Sequence, residues 1–121
     1  TPTHVAMGAA ELYPASMSGI GLVMLASLQN QQVRDLYHNH DIAGFENVSA
    51  LIKQLKEIRE QGYAVANPEN KFTTVALGLG DNPTYAAIAL SSRQMNPSQI
   101  NSAVEQLKEA RQLIKSQRGE G

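Results

Sequence analysis

The 121-residue sequence has no cysteine, no excess of either charge (10 Lys+Arg against 11 Asp+Glu, net −1) and no long apolar run. Each shortage removes a class of function. Without cysteine there is no disulfide framework, no thiolate metal site and no cysteine nucleophile. A net charge near zero does not support direct nucleic-acid binding, which needs a basic face, or attraction to an anionic membrane. No apolar stretch reaches the ~18 residues of a membrane span and no signal peptide opens the chain, so a cytoplasmic setting is expected. The chain also begins without Met, which implies that Thr1 is a cut point in something longer. What remains is one domain, residues 1–121, with no internal repeat and no linker. A chain of this length buries roughly two-thirds of its unfolded surface.

The stretch from Gly62 to Ser92 organises the chain. Phe72 to Leu79 and Tyr85 to Leu90 are apolar runs of strand length, and Gly80, Asp81, Asn82 and Pro83 between them each suit a turn. The pattern predicts a β-hairpin with a longer loop. Helical patterns precede and follow it without βαβ alternation, which predicts an α+β fold with an antiparallel sheet.

In chain order, Val5 to Met7 can form a short strand, and Leu12-Tyr13-Pro14 is an extended approach. A helix is predicted from about Gly19 to Leu28, with Ser16 or Ser18 as N-cap. It is apolar nearly all round, the mark of a buried central helix, and its glycines admit close approach of backbone or a small ligand. Gln31 to His38 predicts a short second helix with Val33, Leu36 and Tyr37 on one side, and His38 to Gly44 reads as a loop. Asn47 or Ser49 caps a third helix to Gln61, whose inward face carries Val48, Leu51, Ile52, Leu55 and Ile58. Lys53, Lys56, Glu57, Arg59 and Glu60 form its wet side, and Gly62 suits its left-handed end. Asn96-Pro97-Ser98-Gln99 is a strong helix start, with Asn at N-cap, Pro at N1 and Gln at N3. Ile100, Val104, Leu107, Arg111 and Ile114 then follow at spacings of three and four, Ala103 and Ala110 widen the stripe, and Gln117 to Gly121 should fray.

Candidate chemistry is sparse. His38-Asn39-His40-Asp41 offers two metal ligands, to which His4 or Glu46 would have to add a third; the plainer reading is a solvated loop with surface histidines. Ser16 and Ser18 lie outside any Gly-x-Ser-x-Gly motif, and capping accounts for both. Gly78-Leu79-Gly80 follows a strand but leads into a turn, so it is no dinucleotide fingerprint. Glu46, Glu57, Glu60 and Glu69 are scattered and form no catalytic carboxylate pair. Ser16 to Gly21 places backbone N–H groups and two hydroxyls at the head of a buried helix. That is either a site for a small anion such as a carboxylate or a capped, close-packed helix start.

Three stretches together resemble the C-terminal effector-binding domain of IclR-type (isocitrate lyase regulator-like) bacterial transcriptional regulators. They are Leu12 to Leu25, Leu51 to Val65 with its closing Arg59-Glu60-Gln61-Gly62-Tyr63-Ala64-Val65, and Thr73 to Ser91 followed by the capped terminal helix. The likeness covers about residues 5 to 115. Against the family pattern, Pro14 stands for a His, Ile20 for a Lys, and the acidic run after Gly-Tyr-Ala-Val is reduced to Asn67-Pro68-Glu69. The resemblance implies a GAF-like curved antiparallel sheet flanked by helices and truncated at its N-terminus. It also implies a ligand-sensing part of a repressor or activator, separated from its winged helix-turn-helix, taking a small organic acid as effector and using no cofactor or metal.

Position by position, the resemblance puts the effector site at Ser16, Met17, Ser18, Gly19, Asn67, Phe72, Thr74, Ala89 and Ser91. The parity of Phe72 with Thr74, and of Ala89 with Ser91, puts each pair on one face of its strand. A non-catalytic sensor is therefore the leading expectation, acting as a homodimer or homotetramer. A metal-assisted hydrolase using His38 and His40, and a purely structural dimerisation module, are the alternatives.

Overall fold

The computed structural model describes residues 15–67, 72–79 and 86–117. The strand expected at Val5 to Met7, the turn at Gly80 to Pro83, Tyr85 and residues 118–121 lie outside them. A 3-10 turn, Ala15–Met17, leads into α1, Gly19–Ala26. Then follow α2, Asn30–Leu36, and α3, Val48–Gln61. Three strands, β1 Ala64–Ala66, β2 Thr73–Leu79 and β3 Ala86–Ser92, precede α4, Pro97–Gln117. The sheet is antiparallel in the order β1-β2-β3, as the hairpin and its flanking helical patterns predict, with helices on both faces, as the family resemblance implies.

The register sorts the strand residues by size. Thr74 pairs with Ser91, Ala76 with Ala89 and Gly78 with Ala87, and on the same face Ala64 meets Ala76 and Ala66 meets Thr74. This face is built of small residues and lies under α1. Its neighbours Thr73, Val75 and Leu77 pair with Ser92, Leu90 and Ile88 on the opposite face, with Val65 beside Val75. That face packs on Ala103, Val104 and Leu107 of α4. The two cores are separate clusters on either side of one sheet.

Local chemistry sets the element ends. Asn96 and Gln99 exchange side-chain-to-amide bonds of 2.8 Å each, closing a capping box at the start of α4. Asn47, rather than Ser49, caps α3 through a 2.9 Å bond from the Ala50 amide. Gly62 ends that helix at φ 90, a conformation that other residues adopt only with strain. Along α3, Leu51, Leu55 and Ile58 are fully enclosed, while Val48 and Ile52 are half-buried at the edge of the same stripe.

Several details differ from the sequence reading. α1 stops at Ala26, two residues early, because the Ser27 amide turns back to the Met24 carbonyl and the Ser27 hydroxyl bonds it as well. α2 starts one residue earlier and ends two earlier than expected, and Leu36 is 57% exposed. Only Val33 of that short helix and Tyr37 at its C-cap turn inward, as a single i, i+4 pair. Arg59, placed on the wet side of α3, returns to the body of the molecule. Its guanidinium donates to the carbonyls of Ala26 (2.7 Å) and Leu28 (3.2 Å) and to the Asn30 side chain (3.3 Å). It thereby satisfies carbonyls that the end of α1 leaves without helical partners. β1 is a strand that the hairpin reading did not single out, although Tyr63-Ala64-Val65-Ala66 alternates large and small residues as a sheet requires.

Candidate functional site

The head of α1 is the centre of the candidate site. Ser18, in extended conformation, accepts a 3.2 Å bond from the Gly21 amide and is the N-cap. Ser16 is not a cap. It is 3% exposed, and its hydroxyl donates 2.7 Å to the Ala43 carbonyl, far along the chain. This bond pins the 3-10 turn to the segment between α2 and α3, where the Phe45 amide returns 3.1 Å to the Ile42 carbonyl and Gly44 has φ 84. Glycine is also required within α1 itself: a Cβ at Gly21 would collide with the Ala15 backbone.

An open cleft of about 250 Å³ lies beside this turn. Leu22 of α1, Phe45 and the Met17 side chain give it apolar walls, with Gly44, Val65 and Ala66 beside them. Its polar groups are Ser16, Gln54 of α3 and Asn67 at the end of β1. None of the lining residues is charged. The Asn67 carboxamide is engaged in a reciprocal pair with Gln94, at 2.8 Å and 3.3 Å, across the opening of the strands.

The nine residues expected in the site therefore fall into separate places. Ser16, Met17 and Asn67 line the cleft. Ser18 and Gly19 sit over the small-residue face, where a Cβ on Gly19 would come within 3.0 Å of the Thr74 side chain. Thr74 and Ser91 are cross-strand partners whose hydroxyls bond each other at 2.8 Å, and Ala89 packs in the core beneath α1. Ser91 also borders a second hollow of about 300 Å³ between the end of β3 and the first turns of α4, together with Met95, Ser98 and Gln99. Phe72 is half-buried just ahead of β2 and lines neither opening. Gln54 and Phe45 are cleft residues that the sequence reading missed. Their only signal was position: Gln54 flanks the inward stripe of α3, three residues from Leu51 and four from Ile58.

His38 and His40 are exposed, and His40 Nδ1 lies 2.6 Å from the His38 carbonyl. Among the described residues, no three His, Asp or Glu side chains are placed to hold a metal ion.

Comparison with known proteins decides the family. The family model for the C-terminal domain of the bacterial transcriptional regulator IclR matches residues 5–116. The chain belongs to this family. It is a family of transcriptional regulators, not of enzymes. Solved structures share the fold of this IclR-type domain. The Agobacterium tumefaciens repressor BlcR superimposes with a TM-score of 0.73 at 18% identity, over 86% of this chain and 47% of that one. The C-terminal domain of the E. coli transcriptional regulator KdgR gives 0.73 at 24%, over 88% and 71%. An IclR homolog from Microbacterium sp. strain HM58-2 gives 0.71 at 22%, over 90% and 48%. The chain thus spans about half the length of BlcR and of the Microbacterium protein. No curated protein matches the sequence significantly.

Proposed function

We propose that this IclR-type domain, residues 1–121, is a ligand sensor that binds a small organic acid in the cleft beside Ser16, Met17 and Asn67. In the whole protein the bound acid modulates DNA binding by a winged helix-turn-helix that lies outside this chain. The setting is cytoplasmic, and the assembly is a homodimer or homotetramer. Among the described residues, no helix is long and apolar enough to cross a membrane. The observation that carries the reading is the cleft itself. It opens where the 3-10 turn, α1, α3, the Gly44–Phe45 turn and the end of β1 converge, so an occupant touches elements far apart in sequence. A ligand that prefers one arrangement of those elements shifts their equilibrium by its differential affinity. A purely structural module needs no such opening.

A thermal-shift screen against small carboxylic acids tests the proposal. A ligand at 100 times its Kd adds about 2.7 kcal/mol of apparent stability. At least one acid is expected to raise the melting temperature in proportion to the logarithm of its concentration. Met17→Trp, which places an indole in the cleft, should abolish that rise. A response that survives Met17→Trp unchanged would move the site elsewhere.

A further inference from the structure

The polar lining of the cleft bears on which acid fits. On α3, the exposed residues Lys53, Lys56 and Glu57 point to water, and Leu51, Leu55 and Ile58 point to the core. Gln54 lies on the border between these two sides and is half-buried. Its carboxamide has no hydrogen-bond partner among the described residues, whereas the Ser16 hydroxyl is committed to Ala43 and the Asn67 amide to Gln94. Gln54 is therefore the uncommitted polar side chain of the cleft. The depth of the cleft holds Leu22, 4% exposed, Ala66, 7%, and Ser16, 3%, whose hydroxyl proton is already given to Ala43. Asn67 is exposed, and with Gln54 it makes the opening polar while Leu22 and Ala66 make the floor apolar.

We infer that Gln54 reads the carboxylate of the ligand, and that the ligand is a small monocarboxylic acid with an apolar body. This rests on the sensor reading above and narrows it. A carboxylate at the rim stays partly hydrated and accepts from the Gln54 amide N–H, so it needs no buried counter-charge. Its apolar body displaces water from Leu22, Phe45 and Met17. A dicarboxylate has no such fit. The lining offers no Lys or Arg for the second charge, which would be pressed against apolar walls at a desolvation cost. The size agrees, since about 250 Å³ lies below the range of roughly 300–1,000 Å³ typical of drug-sized ligands.

Because the chain has no cysteine, Asn67→Cys introduces a single thiol at the exposed rim of the cleft and leaves Gln54 intact. Disulfide exchange at that thiol is measured with the symmetrical disulfides of four probes, 3-mercaptopropionate, its amide, propanethiol and mercaptosuccinate; the protein thiolate takes one half as a mixed disulfide and the other half leaves as free thiol. Lys53→Cys, on the outer side of α3, corrects for the intrinsic exchange of each probe. After that correction, the monoacid is expected to be captured about tenfold better than propanethiol or the diacid, the effect of one hydrogen bond to a charged group. Adding Gln54→Leu should reduce the preference to the level of propanethiol. Adding Gln54→Glu, nearly identical in shape, should reject the monoacid and keep the amide. A monoacid preference that persists through both Gln54 variants, or equal capture of the diacid, overturns the role of Gln54 and leaves the cleft as a ligand site. Capture of all four probes no better than at Lys53→Cys overturns the sensor reading itself, and the inference with it.

Discussion

The two faces of the sheet are made by alternate residues of the same strands, yet they do different work. The face against α4 carries Val65, Val75, Leu77, Ile88 and Leu90, which interlock with Ala103, Val104 and Leu107. The face against α1 carries Ala64, Ala66, Thr74, Ala76, Gly78, Ala87, Ala89 and Ser91. Large side chains hold a helix at a distance and fill the gap themselves. Small ones let a helix settle close to the strands, so here the bulk comes from α1: Leu22, Val23 and Leu25. A close helix also brings polar backbone near the sheet, and Thr74 and Ser91 answer with a hydroxyl pair under Gly19. One face is a conventional apolar core. The other seats the helix whose head borders the cleft.

Four substitutions test that contrast, in decreasing order of effect. Leu77→Ala empties a fully enclosed position on the large-residue face and should cost about 2–5 kcal/mol in chemical denaturation, through lost transfer energy and the cavity left behind. A loss no greater than that of a surface change would mean that α4 closes the gap freely. Ala76→Leu adds volume at an enclosed position on the opposite face. It should cost about 1–3 kcal/mol by displacing α1, and it should weaken acid-induced stabilisation as well. If Ala76→Leu is neutral, α1 is not held close by the small face. The smallest effect belongs to the hydroxyl pair. Thr74→Val and Ser91→Ala should each cost about 1 kcal/mol by stranding the other hydroxyl, and the double variant should cost less than their sum. Strict additivity in that cycle would show that the two hydroxyls act independently.

Much of the framework was legible from neighbours in the chain. The capping box at Asn96 and Gln99, the left-handed Gly62 and the inward stripe Leu51, Leu55 and Ile58 each depend on groups within about a turn of one another. The parity of Thr74 and of Ala89 with Ser91 was equally local, and the register places these residues on one face. The cleft was harder to read. The family resemblance put Thr74 and Ser91 beside Asn67 as one site, but the hydroxyl pair is packed under α1 while Asn67 stands at the rim of the cleft with Gln94.

What the sequence by itself determined is therefore the kind and order of most elements, the ends of α3 and the start of α4, and most of the shared faces, because backbone geometry repeats over two residues in a strand and about 3.6 in a helix. The family resemblance lay in the same local segments. Only the tertiary structure decided that Ser16 would bind the Ala43 carbonyl instead of capping α1, and that Arg59 would close the end of that helix. The same is true of Gln54, which became the uncommitted amide of a cleft. Each outcome depends on the distance between elements separated along the chain. That distance is set by how the small face and the large face of one sheet hold their helices, and no periodicity records it.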